Sequence, residues 1–168
     1  MSNKPIVLAT DGSPSAAEAT LEAVELAHAL DAPLVVVSVE HPQAIHGSGF
    51  YGYPELLVEI RKIEHERIET ALDQACGVAD EAGVACERVH GEAGASVCDQ
   101  ICRLAAERHA QMIVIGAHGW SPVRRVLHGS VSTAVVHEAR CPVLVVSSRV
   151  DEPTGAGKLL EELEHTRS

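Results

Sequence analysis

Five short apolar runs, separated by stretches of helical length, constrain this chain more than any other feature. Pro5–Thr10 (PIVLAT), Pro33–Glu40 (PLVVVSVE), Val84–Val89, Met112–Ile115 and Pro142–Ser147 (PVLVVS) are each of strand length. In all but Val84–Val89, which carries Glu87 and Arg88 and reads as a short strand, the apolarity is largely continuous rather than alternating, which marks strands buried on both faces. Helices are expected between them, from Ser13 to Leu30, from Glu55 to Glu81, from Ala95 to Arg108 and from Ser130 to Ala139. Strand and helix alternating in this way, and ending on a strand, give an α/β fold. Its core is a parallel sheet with helices on both faces, a Rossmann-like architecture.

Local signals sharpen the outline. Ser13 caps the first helix with Pro14 at its first position, and Ala17, Leu21, Val24 and Ala27 are expected on its buried face. The second helix carries Leu56, Ile60, Ile63, Ile68 and Leu72, with its many Glu and Arg residues read as a solvated face, and Gly83 ends it. Val97, Ile101, Leu104 and Ala105 should point inward from the third. His41–Pro54 is rich in turn residues and reads as an exposed loop; its Phe50, Tyr51 and Tyr53 are expected to pack on the next helix rather than cover a ligand. A chain of 168 residues suffices for one domain. We place it at residues 1–148, followed by a charged, flexible tail over 149–168.

In such sheets ligands sit beyond the carboxyl ends of the strands, where strand order reverses. The first strand ends at Thr10-Asp11 and the fourth at Gly116, so both motifs open onto one crevice if those strands are neighbours. After the fourth strand come Gly116-Ala117-His118-Gly119, nine residues, and Gly129-Ser130-Val131-Ser132 at a helix start. Glycines let the backbone approach an anion closely, and the first N–H groups of the helix point at it with a favourable dipole. Ser130 and Ser132 add hydroxyl donors. Glycine spacing alone is equally compatible with a strand end, a turn and a helix start that hold no ligand.

Composition closes off other classes. A formal net charge of −11, with three lysines beside ten arginines, leaves no basic patch for nucleic acid. Four aromatic residues, Phe50, Tyr51, Tyr53 and Trp120, provide no platform for stacking bases. There is no run of about 18 apolar residues that would span a membrane, and the N-terminus lacks the pattern of a signal peptide. The cytoplasm is therefore the expected compartment. Five cysteines in odd number, widely scattered and without CxxC, argue against disulfides and against a metal, and for buried thiols. Cys98 and Cys102, four apart on a helix, should share a face.

The opening PIVLATDGSPSA, the pattern Gly116-x2-Gly119-x9-Gly129-Ser130 and the closing CPVLVV together resemble the universal stress protein family, over roughly Lys4 to Ser148. The resemblance implies a five-stranded parallel sheet in order 3-2-1-4-5 and a homodimer paired through the last strand. The full glycine pattern with Ser130 is similar to the ATP-binding branch. Carried over by position, Thr10 and Asp11 stand near ribose and adenine, and Val39 offers backbone hydrogen bonds to adenine. Gly116, His118 and Gly119 form the first half of the phosphate loop, and Gly129, Ser130, Val131 and Ser132 the second. Each has a plainer alternative: Asp11 as a cap, Val39 as core, His118 as loop rim, and Arg124 and Arg125 as solvated loop rather than phosphate screens.

No Gly-Lys-Ser/Thr, nucleophile elbow or HExxH occurs, so slow ATP hydrolysis is the most that is expected. The resemblance implies a nucleotide-dependent stress-response regulator that takes ATP, or ADP or AMP, with Mg or Mn as a companion ion bridging the phosphates near Asp11. Alternatives are a slow ATPase or autophosphorylating protein with Ser130 and Ser132 as acceptors, and a scaffold or chaperone-like dimer without ligand.

Overall fold

The structure is a computed structural model that describes residues 3–40, 54–91, 96–119 and 129–147. The loop aromatics Phe50, Tyr51 and Tyr53, the turn after Gly91, Trp120, Arg124, Arg125, Ser148 and the tail lie outside these residues. Five strands, β1 (Ile6–Ala9), β2 (Leu34–Val39), β3 (Cys86–Gly91), β4 (Met112–Gly116) and β5 (Val143–Val146), form one parallel sheet in the order β3-β2-β1-β4-β5. Four helices accompany them among the described residues: α1 (Pro14–Ala29), α2 (Pro54–Glu81), α3 (Val97–Glu107) and α4 (Ser130–Glu138). None is long and apolar enough to cross a membrane.

Alternate residues of each strand divide the core in two. Ile6, Leu8, Leu34, Val36 and Val114 face α1 and α2. Val7, Ala9, Val35, Val37, Ile113 and Ile115 face α3 and α4. This is the arrangement that continuous apolar runs require: the central strands β1 and β2 are buried on both faces.

Ser13 caps α1, its Oγ accepting from Ala16 N at 3.3 Å, with Pro14 next. The buried face of α1 includes the expected Val24 and Ala27 but differs in its first half: Ala16, Ala19, Thr20 and Ala23 are buried, whereas Ala17 is exposed and Leu21 is 51% exposed. Alanine fills both candidate stripes, and close packing selects the one with the smaller side chains.

Three helices end in the same way. After α1, α2 and α3 the chain passes through Asp31 (φ 49°), Gly83 (φ 71°) and His109 (φ 50°). Ala32, Val84 and Ala110 then donate back to the carbonyls of Ala27, Ala79 and Ala105 at 2.8–2.9 Å. These are Schellman closures, each with a buried apolar residue just past the left-handed position. They correct the third strand, expected at Val84–Val89 and found at Cys86–Gly91: Val84 serves the helix end, not the sheet.

The cysteine reading also needs correction. Cys76 of α2 and Cys86 of β3 form a disulfide, with a Cα–Cα distance of 5.6 Å. The turn at Gly83 folds the strand back onto the helix, a proximity that spacing in sequence does not reveal. The remaining three are thiols, and Cys98 Sγ and Cys102 Sγ lie 3.9 Å apart on α3. Burial first, then the neighbouring Cys102, pushes the Cys98 thiol up to about 12, and burial also raises Cys102 and Cys141. All three stay protonated at neutral pH and make poor nucleophiles.

Candidate functional site

Order β3-β2-β1-β4-β5 reverses between β1 and β4, and the carboxyl ends of these strands open onto a cavity of about 660 Å³. That volume suits a small-molecule ligand. Thr10, Asp11, Val39, Gly116, His118, Gly119, Gly129, Ser130, Val131 and Ser132 all line it. The structure thus brings these ten residues together, while Arg124 and Arg125 lie outside the described residues.

The strand ends set its floor. Thr10 N donates to Val37 O at 2.9 Å, the last hydrogen bond from the β1 side to β2 among the described residues. Residues two apart on a strand point their N–H and C=O groups the same way. Val39 therefore turns its backbone groups toward the side that β1 has left, where the cavity lies. Its side chain packs against Gly91, where a Cβ would come within 2.7 Å of Val39 Cγ2.

Asp11 takes a sharp bend. Its Oδ1 accepts from Ser13 N at 2.9 Å, and Thr10 Oγ1 accepts from Gly12 N at 3.2 Å. Gly12 has φ +73°, a conformation that favours glycine. The cap-like role weighed for Asp11 is thus real, yet the same carboxylate lines the cavity. Its Oδ2 would lie 2.6 Å from a Cβ built on Gly119, so any larger residue there must displace the carboxylate or lift the loop.

The two halves of the glycine loop are clamped together. Gly129 N donates to Ala117 O at 2.6 Å, and Ser132 Oγ lies 3.1 Å from Ala117 O and 3.0 Å from Gly129 O. One hydroxyl proton serves these carbonyls, and the Ser132 oxygen keeps its acceptor capacity. Ser15, buried under the loop, accepts from His118 N at 3.4 Å and donates to Val146 O at 3.1 Å. Gly129 caps α4 with no side-chain hydrogen bond. The first-turn N–H groups of α4 have no intrahelical acceptors, and Ser130, Val131 and Ser132 carry them at the cavity wall.

Two wall residues were missed. Glu64 and Arg67 of α2, read as part of a solvated face, line the cavity instead. Glu64 is 8% exposed and accepts from Arg67 through both oxygens, at 2.5 and 3.0 Å. Arg67 Nη1 donates to Asp11 O at 2.8 Å, tying α2 to the end of β1. A signal existed: stepping back from the buried Ala79, Ala75, Leu72 and Ile68 in helical strides reaches Glu64. Apolar residues on the earlier turns of α2 point outward instead, Val58 at 67% and Ile63 at 58% exposure.

An open parallel sheet with a crevice at its reversal point, walled by a helix N-terminus, defines a doubly wound α/β protein. Residues 2–147 match the model of the universal stress protein family, and the chain belongs to that family. It is 35% identical to universal stress protein MJ0531 of Methanocaldococcus jannaschii over 85% of this chain and 81% of that protein. A universal stress protein solved in complex with cAMP is 28% identical with a TM-score of 0.61, covering 87% of this chain and 98% of that one. Another, from Archaeoglobus fulgidus in complex with dAMP, is 26% identical with a TM-score of 0.57, covering 87% of this chain and 99% of that one.

Proposed function

We propose that the chain binds an adenine nucleotide, ATP before ADP or AMP, in the crevice between β1 and β4, and acts as a nucleotide-dependent regulator in a stress response. The observation that carries this reading is the mixed chemistry of one cavity lining. Val37, Val39, Ile101 and Ile115 supply apolar surface suited to a base, and Gly116–Gly119 with the start of α4 supplies donors suited to phosphates. Asp11 would face the ribose and could share a divalent cation, Mg or Mn, with the phosphates. Arg67 is the one lysine or arginine among the described wall residues and is already engaged by Glu64. Phosphate charge would therefore be met mainly by backbone N–H groups and the α4 dipole. The relatives solved with cAMP and dAMP support an adenine ligand for this fold.

The test is calorimetric titration of ATP into the chain, with and without Mg²⁺. One site per chain is the expected result. No heat and no thermal stabilisation with well-folded protein would leave the scaffold reading in its place.

Assembly is part of the proposal. β5 closes one margin of the sheet, and an apolar edge left unpaired invites association. Leu144 on β5 is 37% exposed and Val136 on the adjacent α4 is 51% exposed. Pairing of β5 with its twin about a two-fold axis would cover both. Sedimentation at micromolar concentration should give a dimer that Leu144→Glu converts to monomer; a monomeric wild type would overturn it.

A further inference from the structure

Three rungs tie α2 to the edge strand β3. Cys76 is bonded to Cys86, Asp73 pairs with Arg88, and Glu69 Oε1 lies 3.1 Å from His90 Nδ1. The rungs step by three or four residues down the helix and by two up the strand, as an antiparallel helix–strand contact requires. At the third rung a further residue joins. His65, one turn before Glu69, stacks on His90 with ring centroids 5.0 Å apart and planes 24° from parallel.

We propose that His65, Glu69 and His90 form a binding site for a divalent transition-metal ion of the Zn²⁺ type. One donor atom from each lies within 4.8 Å of the others. Two imidazoles and one carboxylate suit Zn²⁺, whereas Mg²⁺ and Ca²⁺ take oxygen ligands. Metal bonds of roughly 2.0–2.2 Å put tetrahedral donors about 3.3–3.5 Å apart. The cluster must therefore close by roughly 1.5 Å at most. Because imidazole lone pairs lie in the ring plane, His65 must turn out of its stack on His90, a movement its exposed side chain allows. Three protein ligands leave a fourth position for water.

This site is separate from the cavity, since none of the three residues lines it. It is also close in sequence to the cavity wall: Glu64 precedes His65, and Arg67 lies between His65 and Glu69. A metal here would pin that turn of α2 to the edge strand.

The test uses Co²⁺, a spectroscopic stand-in for Zn²⁺, titrated into the untagged full chain in nucleotide-free buffer. One equivalent should bind with the visible bands of a nitrogen–oxygen site, without thiolate charge transfer, and Zn²⁺ should displace it. Loss of a second-sphere partner typically costs metal affinity roughly 10–100-fold, and loss of a direct ligand should cost no less. His65→Ala and Glu69→Gln are each expected to weaken binding by at least that factor. His65 is exposed, so its variant should keep the wild-type circular dichroism. No uptake at micromolar metal, a thiolate band, or undiminished affinity in folded His65→Ala would each overturn the proposal.

Discussion

Gly119→Val should leave a folded chain that has lost adenine-nucleotide binding by roughly 100-fold or more, about 2.7 kcal/mol. Gly119 does not occupy the left-handed region, so no positive-φ strain opposes a side chain there. The obstacle is Asp11, whose Oδ2 would stand 2.6 Å from the new Cβ. The carboxylate cannot simply rotate away, because its Oδ1 accepts from Ser13 N at 2.9 Å. Breaking a hydrogen bond to a charged group costs about 1.5–3 kcal/mol. Either the loop lifts or the carboxylate turns, and both deform the place proposed for ribose and phosphate. Gly119→Ala should show a smaller loss in the same direction. Calorimetry alongside circular dichroism checks both, and nucleotide uptake by Gly119→Val at wild-type affinity would remove the loop from the site.

Gly116→Ala should act oppositely, on the fold itself. A Cβ there would lie 2.9 Å from the Ser15 carbonyl carbon and Oγ, and 3.0 Å from Ala16 N. Two of these atoms belong to the backbone of the first turn of α1, which is fixed by the Ser13 cap and buried against the sheet. No flexible side chain can yield. Overpacking of this kind costs about 1–3 kcal/mol, and the rigid neighbour places this case at the upper end. For a chain of this size the melting temperature should fall by roughly 4–10 °C. A thermal melt without ligand reads the effect, and an unchanged midpoint would show that α1 can move away. Glycines three residues apart in one motif are therefore expected to do different work, one to admit the proposed ligand and the other to admit a helix.

Much of this was legible in the sequence. The strand runs, the Ser13-Pro14 start and the glycine spacing each express a local rule, and the order of elements fixes which strand ends meet. Residues that depend on tertiary context were not legible. Glu64 looks like its exposed neighbours Glu59 and Glu66, and the Arg67 guanidinium, itself anchored on the Asp11 carbonyl, makes its burial tolerable. Asp31 and His109 take the left-handed position that Gly83 takes by default, so only one of three similar helix ends was announced by glycine. Cys76 and Cys86 meet because the turn at Gly83 reverses the chain, which a count of cysteines cannot register.

One carbonyl has a consequence for how binding and assembly relate. Val146 O, at the last residue of β5, accepts from Ala117 N at 2.7 Å and from Ser15 Oγ at 3.1 Å, and Ser15 Oγ in turn accepts from His118 N. The end of the margin strand and the first half of the glycine loop thus share a single acceptor and cannot shift independently. If pairing of β5 with a second chain changes the affinity for nucleotide by some factor, nucleotide must change the dimer's affinity by a factor derived from the same coupling energy. For the proposed dimer and nucleotide site, the dimer's dissociation constant followed against ATP concentration would then be a readout of the crevice, and the nucleotide level would set how many chains stand paired.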